Sequence, residues 1–130
     1  MRVVSLAPSC TEIAFALGRG STLIGRTAFC DYPEEAKKIP AVGGWTTANV
    51  DAVLALAPDL VLTSMFLQDV VAVSLRAKGT EVCHTDPRTL ADVLDSFETI
   101  ARALGGREHG NALRRQVESS LVSPVSQRHA

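Results

Sequence analysis

The segment Asn49 to Thr63, NVDAVLALAPDLVLT, constrains the fold of this chain more than any other stretch. Asn49 is a good helix N-cap, and Val50, Val53, Leu54 and Leu56 follow the 3.6-residue helical period. Pro58 ends that helix. Leu60 to Thr63 is then a continuous apolar run, the pattern of a parallel strand buried on both faces.

The same alternation extends in both directions. Val3 to Ala7 reads as a short apolar strand closed by Pro8. Ser9 or Thr11 is placed to cap the next helix, with Glu12 in its first turn and Ile13, Phe15, Ala16 and Leu17 towards the inside, ending at Gly18. Leu23 to Thr27 is a second strand. Asp31-Tyr32-Pro33 turns the chain, and Pro33 suits the first position of a helix over 34–38. Gln68 to Lys78 is amphipathic through Val70, Val71, Val73 and Leu75, and stops at Gly79. Glu81 to His84 is a further strand. Thr89 caps a long helix with Leu90, Val93, Leu94, Phe97, Ile100, Ala101 and Leu104 as its stripe, closed by Gly105-Gly106. Strand and helix in turn predict an α/β lobe, with a mostly parallel central sheet between helical layers and right-handed crossovers.

At 130 residues the chain fits one domain. A hydrophobic fraction of 46% is enough for one core. The formal charge of −1, with acids and bases interspersed, gives no basic stripe for nucleic acid. Apolar runs are broken by Asp and Pro before they reach the ~20 residues of a membrane span. The start, MRVVSLAP, is too short and too strand-like for a signal peptide. Two compartments therefore stay open: cytoplasm, or periplasm after removal of a signal. Cys10, Cys30 and Cys83 form neither a CxxC nor a zinc spacing with the three histidines, so no metal site is expected. The three read as small, partly buried thiols, with Cys30 exposed near a loop.

Ligands of such sheets collect at the carboxyl ends of the strands. Those ends are 7–10, 28–31, 64–66 and 85–87, and Phe29 falls among them. Trp45, the lone tryptophan, follows the Gly43-Gly44 turn. Two large rings beside flexible backbone read as a ligand platform. No GxSxG elbow, P-loop or GxGxxG follows a strand, so an enzyme is not expected.

Three stretches carry a family resemblance: RVVSLAPSCTEIAFALG, FCDYPEEAKKIPAVGGW and NVDAVLALAPDLVL. Together they resemble the amino-terminal lobe of cobalamin-type solute-binding proteins of ABC importers. That class joins two lobes by one rigid helix and also binds iron–siderophores, haem and metal ions. The resemblance implies a three-layer αβα lobe over 1–106, with 107–130 as the start of the linking helix and a frayed tail. It implies that Phe29 and Trp45 lie against the ligand. Ser64 stands where cobalamin binders can carry another tryptophan, with Met65 or Phe66 as its substitutes. It also implies that Asp51 docks on an arginine of the membrane permease. The ligand implied is a metal chelate such as cobalamin, captured rather than transformed, with no cofactor. The carboxyl-terminal lobe is absent from this sequence. A stripe of Leu113, Val117 and Leu121 on a helix from Arg107 to Leu121, about 22 Å long, leaves a second reading: a free-standing lobe that dimerises through this helix.

Overall fold

The computed structural model describes residues 1–28, 30, 32–44, 49–105 and 111–119, with Phe66 described by its backbone alone. Four strands, β1 (Val3–Ser5), β2 (Leu23–Arg26), β3 (Leu60–Ser64) and β4 (Val82–Thr85), form one sheet in the order β2-β1-β3-β4. Every pairing is parallel, with Val3 opposite Leu60 and Val61 opposite Val82. β3 has neighbours on both sides and all five of its residues are buried, as its unbroken apolar run requires.

Side-chain alternation divides the core into two. Val3, Leu23, Leu60 and Leu62 face α1 (Pro8–Ala16) and α4 (Leu90–Ala103), where Cys10, Ala14, Leu17, Ile100, Ala101 and Leu104 meet them. Val4, Leu6, Val61 and Val82 face the other way, onto α2 (Val50–Ala55) and α3 (Asp69–Ala77) through Val53, Val71, Ala72 and Leu75. The sheet therefore lies between two helical layers, as expected. Gly25 permits close packing on β2: a Cβ there would lie 2.8 Å from Leu56 and 3.2 Å from Val4.

Two expected caps form. Asn49 accepts from the Ala52 amide at 3.1 Å, and Thr89 and Asp92 make a reciprocal capping box at the start of α4. The cap of α1 differs from expectation. The helix starts at Pro8, whose missing N–H is no loss in a first turn, and Ala7 is the N-cap without a side-chain bond. Thr11 is buried instead and donates to Ser5 Oγ at 2.8 Å, and Glu12 falls beyond the first turn. Glu34–Lys38 is a 3₁₀ turn preceded by Pro33.

Two helix faces also need correction. Val70 and Val73 of α3 point outward, 77% and 64% exposed, and Val71, Ala72 and Leu75 fill the core. At the start of α4, Leu90 and Val93 are exposed and the buried stripe begins at Leu94. Both helices carry more apolar residues than one face can hold, so packing against the sheet selects among them.

The backbone at 111–119 is helical. Leu113 packs on the α1/α4 side of the core. Arg114 reaches α4 through Asp95 at 2.7 Å and Glu98 at 3.4 Å, and pairs with Glu118 of its own helix at 2.9 Å. Both expected ends of this helix, Arg107 and Leu121, lie outside the described residues, as does the expected boundary at 106–107.

Candidate functional site

β1 passes through α1 to β2 on one side, and β3 passes through α3 to β4 on the other. The neighbouring strands β1 and β3 thus lead away in opposite directions and on opposite faces. In an open parallel sheet the carboxyl ends beside such a reversal are the usual ligand position.

Gln68 builds the floor at this seam. The side chain is fully buried. Its Nε2 donates to the Leu6 carbonyl at 2.7 Å, and its Oε1 accepts from the Ser64 amide at 2.8 Å. One amide thereby satisfies a carbonyl just past β1 and an N–H at the end of β3, which would otherwise be orphaned.

Ser64 itself offers little to a ligand. It is 3% exposed, and its hydroxyl accepts from Thr85 Oγ1 at 3.3 Å. The next residue, Met65, turns outward. Its backbone is left-handed, with φ of +67°, and its side chain is 39% exposed. The Met65 amide donates to the Thr85 carbonyl at 2.7 Å, and its carbonyl accepts from the Gln68 amide at 3.0 Å. Left-handed backbone costs a residue with a Cβ about 1–2 kcal/mol. Phe66 opens the 3₁₀ turn Phe66–Gln68.

Phe29 and Trp45 lie outside the described residues, but the backbone flanking each is well tied. The Ala28 amide donates to the Gly43 carbonyl at 2.8 Å, which joins the two loops. Asn49 N–H donates to the Val42 carbonyl at 2.9 Å, closing the loop that carries Trp45. Thr27, fully buried, donates to the Leu6 carbonyl at 3.3 Å and touches Cys30 Sγ at 3.1 Å. Both flanks therefore converge on the carboxyl end of β1, beside the Gln68 floor. Asp51 lies just past the Trp45 loop, exposed in the first turn of α2.

Cys30 is 1% exposed, contrary to the expected exposed thiol, because Thr27 and the Ser5 carbonyl enclose it. Cys10 is equally buried, and desolvation pushes its thiol up to about 12. Burial also raises the Cys83 thiol. Thiols held protonated in this way are poor nucleophiles. Among the described residues, His84 is paired within the sheet through one nitrogen only: its Nδ1 lies 2.7 Å from Thr63 Oγ1, while the buried Nε2 makes no hydrogen bond and has Asp69 Oδ1 of α3 2.8 Å away but out of line. Asp86 is held by Arg88 at 2.8 Å, a turn contact as its Asp-Pro sequence implies. Among the described residues, no three His, Cys, Asp or Glu side chains converge as a metal site would need.

The sequence alone gave no sign of Gln68. A buried glutamine four residues after a strand is indistinguishable in a sequence from a polar helix start.

The geometry defines a binding lobe of the α/β type, and residues 3–126 match the periplasmic binding protein family. The chain belongs to that family. A Vitamin B12-binding protein of Yersinia pestis (strain Pestoides F) is 35% identical, over 87% of this chain and 45% of the relative. The periplasmic Vitamin B12 binding protein BtuF of Vibrio cholerae superposes with a TM-score of 0.86 at 28% identity, over 99% of this chain and 51% of that structure. The apo periplasmic heme-binding protein RhuT from Roseiflexus sp. RS-1 gives 0.85 at 30% identity, over 94% and 48%. The chain spans about half the length of the relatives it matches. Those relatives are binding proteins, not enzymes.

Proposed function

We propose that this chain is the solute-binding component, one lobe, of an ABC importer for a corrinoid such as cobalamin. The observation that carries this reading is the 35% identity to a Vitamin B12-binding protein across nearly the whole lobe. The carboxyl ends of β1 and β3, with the described flanks of the Phe29 and Trp45 loops tied beside them, support it. Capture needs apolar and aromatic walls rather than acid–base groups. In this reading Phe29, Trp45 and Phe66 line the ligand and Ser64 backs them. Asp51, acidic and exposed at the adjoining helix start, docks on the permease. Residues 1–106 are the lobe, 107–130 begin the linking helix, and the protein works in the periplasm.

A haem or iron–siderophore chelate is the second reading, favoured by the likeness to a heme-binding protein at 30% identity. The dimer reading has less support, because Leu113 of its proposed stripe turns to its own core.

One lobe buries only part of a bulky ligand, so affinity is expected to be weak. Equilibrium dialysis of the 130-residue chain against cyanocobalamin and, separately, hemin tests the reading. Saturable uptake of cyanocobalamin in preference to hemin, with a change in Trp45 fluorescence, is expected. Preference for hemin selects the second reading, and no uptake of either at millimolar concentration rejects both.

A further inference from the structure

Resting on the binding reading above, we infer that Thr27 and Gln68 are a coupled pair of positioning residues, which fix the loops after β2 and β3 against one carbonyl of the chain leaving β1. That carbonyl belongs to Leu6. It accepts from Gln68 Nε2 at 2.7 Å and from Thr27 Oγ1 at 3.3 Å, one bond for each lone pair. All three residues are fully buried. The sheet ladder does not make these links. Strand pairing of β1 ends at Ser5, opposite Arg26 of β2 and Leu62 of β3, with one further bond from the Leu6 amide to the Leu62 carbonyl. Thr27 and Gln68 act just beyond it, where the strands stop and the loops begin.

Proton count orders the bonds. Thr27 has one hydroxyl proton, and giving it to Leu6 leaves its oxygen as the acceptor for the Cys30 thiol, 3.1 Å away. The Cys30 amide donates to the Thr27 carbonyl at 3.0 Å, so the turn after β2 closes on Thr27. The Ala28 amide reaches the Gly43 carbonyl and brings in the next loop. On the other side, Gln68 Oε1 accepts from the Ser64 amide, and Ser64 Oγ accepts from Thr85 Oγ1 at the end of β4. One relay therefore spans the carboxyl ends of all four strands, with the Leu6 carbonyl at its centre. Loops set in place before a ligand arrives need not be ordered on binding, which is where affinity is otherwise lost. Hydrogen bonds in series also polarise one another, so a change at Thr27 is felt at Ser64 through Leu6 and Gln68.

T27V tests the pair, because Gln68 still satisfies the Leu6 carbonyl and the fold is retained. T27S restores the hydroxyl. The full chain labelled with ¹⁵N should show the Ser64 amide shifted in T27V and returned in T27S, with the amide of Gly79, just past α3, unmoved in both. Equilibrium dialysis against cyanocobalamin and, separately, hemin should show T27V binding about fivefold more weakly, the weight of one neutral hydrogen bond, and T27S within about twofold of wild type. An unmoved Ser64 amide, or saturable binding that is equal in T27V and wild type, overturns the coupled pair and leaves the binding function standing. A loss of binding in T27V that T27S does not restore assigns the effect to packing and overturns the role of the hydroxyl. Absence of saturable binding by the wild-type chain to either macrocycle overturns the binding function and this inference with it.

Discussion

The side-chain amide of Gln68 donates to the Leu6 carbonyl at 2.7 Å and so joins the turn after β3 to the chain leaving β1. The two residues are far apart in sequence but meet where the sheet changes winding direction. Replacing Gln68 with Ala would leave the Leu6 carbonyl and the Ser64 amide without this partner in a buried place. An orphaned buried group costs about 1–3 kcal/mol, so Q68A is expected to lower stability by about 2–4 kcal/mol in urea unfolding. A loss under about 0.5 kcal/mol would mean that water or relaxation replaces both bonds.

Cys10 links stability to alkaline pH. Burial raises its thiol from the ordinary 9.0 to about 12 in the folded chain. A raised folded value means that its contribution is complete below pH 9.0 and is lost as pH climbs towards about 12, since the unfolded chain releases the proton first. Denaturation midpoints should therefore fall across that window in wild type and fall less in C10A. Equal alkaline slopes in the two proteins would refute the assignment.

The capping box of α4 makes the opposite prediction at the acid end. Amides of Arg88 and Thr89 donate to the Asp92 carboxylate and hold it below the ordinary carboxylate range. A lowered folded value contributes stability above the ordinary range and loses it as pH falls through the folded value. Stability measured from neutral to strongly acid pH should drop less in D92N than in wild type. T89A, which removes the other half of the box, should cost about 1 kcal/mol at neutral pH.

Arg114 ties the helical segment 111–119 to α4 through Asp95 and Glu98, and Glu118 of its own helix first, then Asp95 and Glu98, raise the affinity of its guanidinium for its proton. The pairs lie at the surface and are open to screening by salt. Hydrogen exchange at 111–119 is expected to speed up in R114A, and in wild type as salt rises, with strand β3 unaffected. Leu113→Ala should have a similar local effect at all salt concentrations, because its contact is apolar. Exchange that is insensitive to both changes would show that neither contact anchors the segment.

Much of the architecture was legible because its signals are local. Asn49 and Thr89 cap where expected, Gly79 and Gly105 lie at the helix ends, and the apolar run before Ser64 is the central buried strand. The site was legible only in outline. The carboxyl-end rule pointed to the seam of β1 and β3, and the described flanks of the Phe29 and Trp45 loops are tied beside it, while Phe29 and Trp45 themselves lie outside the described residues. The turn after β3 was not legible. The resemblance points to Ser64, and the backbone turn buries it and exposes Met65.

By itself the sequence determined the elements and their order, because helix and strand periods, caps and proline stops act within a few residues. It also determined membership of the family, through motifs that survive at fixed spacing. Tertiary structure decided which valines of α3 turn inward, since Val70 and Val73 form as plausible a stripe as Val71 and Leu75 until the sheet selects one. It likewise decided that Gln68 lies buried and Met65 exposed at the seam of β1 and β3. Those outcomes depend on a strand pairing between residues about sixty apart, and no local pattern records such a pairing.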